Sequence, residues 1–297
     1  MPASENELLS AIYGRSAGSL PGNVVVGPGD DLAVVEIDGR RVMVGVDQAL
    51  EGVHFRLNEL SIDRVAYKAI ARSVSDVAAM AGLPTCAVVS AMLPRDAGYG
   101  DELAAAAHRH GLALGCPVVG GDIAVWDGAL QLSVTVLAEP GGVEPVLRSG
   151  ARVGDGVYVT GELGDSYASG WHASFTPRVA AARSLAEHAT AMMDLSDGLA
   201  MDLGRLVVAS AAQGVGGAII EASALPRRGG CDWRQAVGDG EDYELLFTAS
   251  AAAALPTAID GLAVTRIGAV VAEQGVMIRH ADGRTEPIDA MGWEHGR

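Results

Sequence analysis

The sequence predicts a mixed α/β protein of two domains, and three observations predict it. Short apolar runs broken by glycine alternate with stretches whose apolar residues recur at helical spacing, so strands and helices interleave. The chain has 297 residues, 49% of them hydrophobic, which exceeds one typical domain. The stretch from Glu139 to Pro145 is rich in glycine and proline, and it separates two segments that each hold enough apolar pattern for a core. Residues 1–138 and 146–297 are therefore read as the two domains.

In order, Glu5 to Ser16 reads as a helix, and Val24–Val26, Leu32–Ile37 and Arg41–Val46 as strands, the last two joined by an Asp38-Gly39 hairpin turn. From Ile62 to Met80 apolar residues recur at helical spacing behind Ser61, a suitable N-cap. Cys86–Leu93 reads as a strand, Gly100–Leu114 as an alanine-rich helix, Pro117–Val119 as a short strand and Leu130–Leu137 as another. In the second half Gly156–Thr160 is strand-like, Thr176–Ala191 and Gly198–Gln213 helical, and Glu244–Thr248, Ala263–Val271 and Val276–Arg279 strand-like.

Charge and composition narrow the function. With 21 basic and 37 acidic residues the net charge is −16, which repels a phosphate backbone, so no nucleic-acid partner is expected. No apolar run is long enough to span a bilayer and the first ten residues are polar and acidic, so no membrane association is expected and the cytoplasm is the expected location. Three separated cysteines form neither a zinc motif nor a disulfide framework. No Walker-type loop and no kinase-like glycine loop with a strand lysine occurs, so any phosphate handling must rest on metals and a few basic residues.

The chemistry-bearing residues are acids set among glycines. Gly27-Pro28-Gly29-Asp30-Asp31 delivers adjacent carboxylates whose repulsion favours a cation beside them, though singly such a turn is also a common solvated feature. Asp47 ends an apolar strand, and His54 follows it. Asp76 lies on an otherwise apolar helix, where an unpaired carboxylate is costly, so it must face a cation, donors or solvent. Gly120-Gly121-Asp122 follows the short strand at Val119; its glycines would admit a phosphate while Asp122 reaches a metal. Asp194-Leu195-Ser196-Asp197 leads into a helix, where Ser196 and Asp197 also suit a cap. Gly238 to Glu244 concentrates four acids in one loop before a strand.

Taken in order, GPGDD, VDQALEGVHF, SVSDVAAM, GGD, RSGARVGDGVYVTG, MDLSDGLAMDL and GDGEDYELLF resemble the thiamine-monophosphate kinase family, from about Glu5 to Trp293. Several of these motifs recur in the wider aminoimidazole-ribonucleotide-synthetase-like superfamily, whereas EGVHF and GEDYELLF single out the kinase. The resemblance implies that superfamily's two-domain fold, with N-terminal strands pairing across a homodimer. It implies ATP as co-substrate, several Mg2+ ions, and transfer of a phosphoryl group to thiamine monophosphate. Carried over position by position, it implies Asp30, Asp31, Asp47, Asp76, Asp122, Asp194 and Asp197 as metal ligands, with Asp47, Asp76 and Asp197 central to catalysis. Gly121, Asp122, Arg148 and Ser196 would contact ATP, and His54, Glu241 and Trp293 the acceptor. All these acids are expected to converge on one pocket.

The chain departs from the family pattern in places. Gly45-Val46 stands where hydroxyl residues usually precede the aspartate, Ile123-Ala124 where threonines usually follow GGD, and Asp239 where glycine is usual. The stretch between Asp165 and Met192 is shorter than usual. Two alternatives follow: another ATP-using enzyme of the superfamily, or a catalytically weakened regulator that binds ATP or thiamine phosphate.

Overall fold

The structure, a computed structural model, describes residues 5–16, 18–289 and 291–293. After α1 (Glu5–Ser16), the first sheet is built from β1 (Val24–Val26), β2 (Ala33–Ile37) and β3 (Arg40–Leu50). Then come α2 (Ile62–Ala79), β4 (Leu83–Pro94), α3 (Gly100–Ala113), β5 (Val118–Trp126) and β6 (Gln131–Glu139). The strand order is β1-β2-β3-β6-β4-β5, antiparallel except for the parallel β4–β5 pair at one edge. Asp38 and Gly39 both take positive φ, 49° and 74°, as a two-residue hairpin turn between β2 and β3 demands.

The second sheet begins with β7 (Gly156–Thr160) and continues through α4 (Val179–Leu185), β8 (Ala189–Asp194), α5 (Leu199–Ala209), β9 (Gly217–Glu221) and α6 (Trp233–Gly238). β10 (Leu245–Ala249), β11 (Ala258–Ile259), β12 (Leu262–Val271), β13 (Gly275–Arg279) and β14 (Thr285–Pro287) complete it. Its order is β14-β13-β9-β12-β7-β10-β8, with β11 paired to β12.

Along β6, Leu132, Val134, Val136 and Ala138 alternate inward and are buried beneath the helices, so one face of the first sheet carries that half's core. α2 lies against β3 and β6 on one side and against α4 and β8 on the other. It is thus enclosed between the two sheets, which is why even Lys68, Arg72, Ser73 and Ser75 on it are buried. Ser61 accepts a hydrogen bond from the Arg64 amide at 3.3 Å and starts the helix as an N-cap.

Two expectations need correction. The helix expected over Thr176–Ala191 is only Val179–Leu185, and Ala189–Asp194 is the edge strand β8, paired with β10. Met192 packs against Phe247 and Leu185 while Met193 packs into the core around Leu195 and Leu199. A strand buried on both faces has no alternation, and its alanines and methionines read as helix. The strand expected over Pro117–Val119 extends to Trp126, because pairing with β4 holds Gly120, Gly121 and Asp122 in register against Val88, Val89 and Ser90. The GGD motif therefore lies within a strand and not in a loop after one.

Candidate functional site

The turn between β1 and β2 places Asp30 and Asp31 opposite the end of β8, which carries Asp194, and the α2 residue Asp76. Asp31, Asp76 and Asp194 each present a carboxylate oxygen, and the three lie within 4.8 Å of one another. Arg148 is the nearby cation: its Nε and Nη2 donate to the two Asp31 oxygens at 3.1 and 2.5 Å, and its amide donates to Asp30 at 3.3 Å. One guanidinium does not balance this group. Burial, then the charges of Asp194, Asp47 and Asp31, push the Asp76 carboxyl well above the usual carboxylate range, and burial with Asp31 does the same to Asp194. Burial and Asp31 raise Asp30 to about 6 against the pull of Arg148. Converging oxygen donors short of positive charge fit a hard divalent cation. They open onto a cleft of about 1030 Å³ lined by the Gly27–Asp31 turn, Arg148, Ser149 and one side of α5.

A second cleft, of about 700 Å³, is lined by Asp47, His54, Arg72, Ser196, Glu241 and Trp293. Its floor is a buried ion network. Lys68 is fully buried: it donates to the His54 carbonyl (2.5 Å) and to Glu241 Oε2 (2.7 Å), and lies 2.9 Å from His172 Nδ1. Burial alone would raise the Glu241 carboxyl, yet the His172 hydrogen bond and the charges of Lys68 and Arg72 bring it down to about 2. The cleft thus presents an ionised carboxylate. Glu241 and Tyr243 both hold positive φ, 64° and 50°, which non-glycine residues adopt at a cost, so the acidic loop is over-determined by its surroundings. Asp242, between them, accepts from the Gly164 amide, Ser166 and Arg228 and anchors the loop. The Leu50 amide donates to His54 Nδ1 at 3.0 Å and fixes that ring.

Asp197 lines both clefts. Its turn is held by Asp202, completely buried on α5, whose Oδ2 accepts from the Ser196 and Asp197 amides at 3.1 and 3.0 Å. Arg205 donates to Asp197 Oδ2 at 2.5 Å and to Asp202 Oδ1 at 2.9 Å. Trp293 reaches the second cleft because its amide donates to the Asp197 carbonyl.

Of the residues singled out in the sequence, Asp30, Asp31, Asp76, Asp194 and Arg148 gather at the first cleft, and Asp47, His54, Ser196, Glu241 and Trp293 at the second, with Asp197 between. Asp122 stands apart. Along the sheet it pairs with Ser90, then Ser133, then Gln48, whereas Asp47 pairs with Val134, which is buried beneath the helices. Asp47 and Asp122 therefore leave the sheet on opposite faces. Gly121 is required by close packing: a Cβ there would lie 1.8 Å from the Val89 carbonyl oxygen.

Lys68, Arg72, His172, Asp202, Arg205 and Tyr243 were not expected at the site. A signal did exist for the first two. Lys68, Arg72 and Asp76 fall four residues apart, a charged stripe down one side of an apolar helix. Asp202 interrupts the apolar spacing of Leu199, Leu203 and Leu206 in the same way.

Residues 29–139 match the family model described as AIR synthase related protein, N-terminal domain. The chain is 36% identical to the thiamine-monophosphate kinase of Rhodopirellula baltica over 320 aligned positions, spanning 98% of this chain and 97% of that protein. It is 33% identical to the thiamine-monophosphate kinase of Aquifex aeolicus over 90% of this chain and 92% of that one. Among solved structures it resembles AaThiL complexed with AMPPCP and TMP, with a TM-score of 0.82 and 31% identity, covering 98% of this chain and 97% of the other. The architecture is thus the two-domain α/β fold of those proteins.

Proposed function

The chain belongs to the thiamine-monophosphate kinase family, and from that membership we propose that it transfers the γ-phosphoryl group of ATP to thiamine monophosphate, releasing thiamine diphosphate and ADP. The observation that carries this reading is the meeting of two clefts at Asp197, one walled by clustered carboxylates and Arg148, the other floored by ionised Glu241. Donor and acceptor sites must adjoin for an in-line transfer, and here they share one wall.

Asp31, Asp76 and Asp194, with Asp30 beside them, are the residues that would hold Mg2+, which when bound neutralises the nucleotide phosphates. Asp197 is suited to a further ion at the acceptor side, which makes several ions the proposed complement. Arg148 offers a phosphate the guanidinium protons that its pair with Asp31 leaves over, Ser196 its hydroxyl. In the second cleft Glu241 places a fixed negative charge where a cationic thiazolium would lie, with Trp293 supplying an aromatic face and His54 a ring proton. The acceptor oxygen belongs to a phosphate that is already deprotonated, so the residues need only orient it and exclude water.

Gly121 and Asp122 would act on the nucleotide only through a second copy of the chain. The exposed edge strand β5, with Val119 at 65%, Ile123 at 68% and Val125 at 57% exposure, supports a homodimer through the N-terminal half, residues 1–138, with residues 146–297 completing the site. Among the described residues no helix is long and apolar enough to cross a membrane.

Incubation of the folded protein with ATP, Mg2+ and thiamine monophosphate is expected to give thiamine diphosphate and ADP in equal amounts. Absence of thiamine diphosphate removes the assignment, and tight binding of both ligands without turnover would identify a binding protein instead.

A further inference from the structure

We propose that Arg72 is a resident cation that takes the place of a divalent ion at Asp47, so that metal is held through Asp31, Asp76 and Asp194 and not through Asp47. This rests on the first cleft being a metal-nucleotide site, and it departs from the ligand set that the family resemblance implies.

Both Asp47 oxygens are taken. Arg72 Nε donates to Oδ2 at 2.7 Å and Nη2 to Oδ1 at 3.1 Å, the bidentate geometry for which a guanidinium is shaped. Arg72 is only 9% exposed, rises from the enclosed helix α2 and cannot shed its proton. Its remaining nitrogen, Nη1, is buried without a hydrogen-bond partner 3.8 Å from Glu241 Oε1, itself buried and unpartnered. The guanidinium therefore sits between two carboxylates. Arg148 pairs with Asp31 in the same way, but there Asp76 and Asp194 bring further carboxylate oxygens within 4.8 Å. At Asp47 a metal would have to displace a guanidinium held between two carboxylates without that group of oxygens.

Neither of the two residues before Asp47 adds a ligand that would help a metal to compete. Position 45 has no side chain, and a Cβ there would fall 2.2 Å from Leu32 Cδ2, so the buried Leu32 would have to move to admit one. Val46 turns to the opposite face of the sheet and is 62% exposed. The carboxylates that lie within 4.8 Å of one another do not include Asp47. Arg72 is accordingly a positioning residue: it fixes Asp47, balances Glu241 and keeps a positive charge at the second cleft whether or not metal is bound.

Counting Mn2+ bound to the full chain with a non-hydrolysable ATP analogue, from the electron paramagnetic signal of the free ion, tests this. Asp47→Asn is expected to bind as many Mn2+ ions as the native protein. Arg72→Met is expected to bind one more, and the double variant to return to the native number. Loss of one Mn2+ ion in Asp47→Asn overturns the proposal even where Arg72→Met does not fold, and an unchanged count in folded Arg72→Met also overturns it. A native protein that binds nucleotide but no Mn2+ at all overturns the metal reading of the first cleft as well.

Discussion

At the scale of single residues, the second cleft depends on keeping Glu241 charged in a nearly closed space. The carboxylate does so because Lys68 donates a hydrogen bond to it at 2.7 Å and His172 and Arg72 stand close by. Removing one member of such a buried pair leaves the other uncompensated, at a typical cost of about 3–5 kcal/mol. Lys68→Met should therefore lose stability of that order in urea denaturation at neutral pH. The pH dependence follows from the same pair. Glu241 falls from an ordinary 4.5 to about 2 in the folded protein, so its contribution is present above 4.5 and is lost as pH drops through that value towards 2. A depression of that size is worth on the order of 3 kcal/mol. Denaturation midpoints measured across this window should decline in the native protein and decline less in Glu241→Gln; equal slopes would contradict the assignment.

At the scale of elements, two helices organise the chemistry. α2 carries Lys68 to the second cleft, Arg72 to Asp47 and Asp76 to the first cleft, a span of about 12 Å at the rise of an α-helix. Its last step was legible in the sequence, since an aspartate among apolar residues demands a partner. The first two were only half legible: their four-residue spacing with Asp76 marks a stripe, but lysine and arginine on a helix ordinarily reach solvent along their stems. Here the second sheet closes over the helix from a part of the chain over a hundred residues away, and no local pattern records that. α5 works differently: buried Asp202 holds the Ser196–Asp197 turn by two backbone amides. Asp202→Asn keeps an acceptor but weakens both bonds and unbalances Arg205, so kcat should fall about tenfold or more with substrate KM little changed. Unchanged kcat in the folded variant would show that the turn is positioned by other means. In β5 and β8, likewise, pairing partners override what glycine and alanine suggest locally.

At the scale of the whole molecule, function comes from bringing together a turn of the first sheet, the enclosed helix and a strand end of the second sheet. The acids that meet, Asp31, Asp76 and Asp194, are spread over most of the chain, and the motifs marked each of them without showing which would touch. Asp122 marks the boundary of what one chain explains: its motif was legible, yet its face of the sheet points away from both clefts. The net charge of −16 fits a molecule that needs cations to admit anionic reactants, and the resident arginines Arg72, Arg148 and Arg205 already neutralise part of it. In the proposed function one cleft serves the nucleotide and the other the acceptor, with Asp197 between them. Steady-state kinetics of Asp76→Asn and Glu241→Gln, with each substrate and Mg2+ varied in turn, test it most directly. Asp76→Asn should raise the Mg2+ requirement and leave KM for thiamine monophosphate near native, while Glu241→Gln should raise that KM about tenfold and leave KM for ATP near native. If both variants shifted the same constants, the two clefts would not be separate halves of one site.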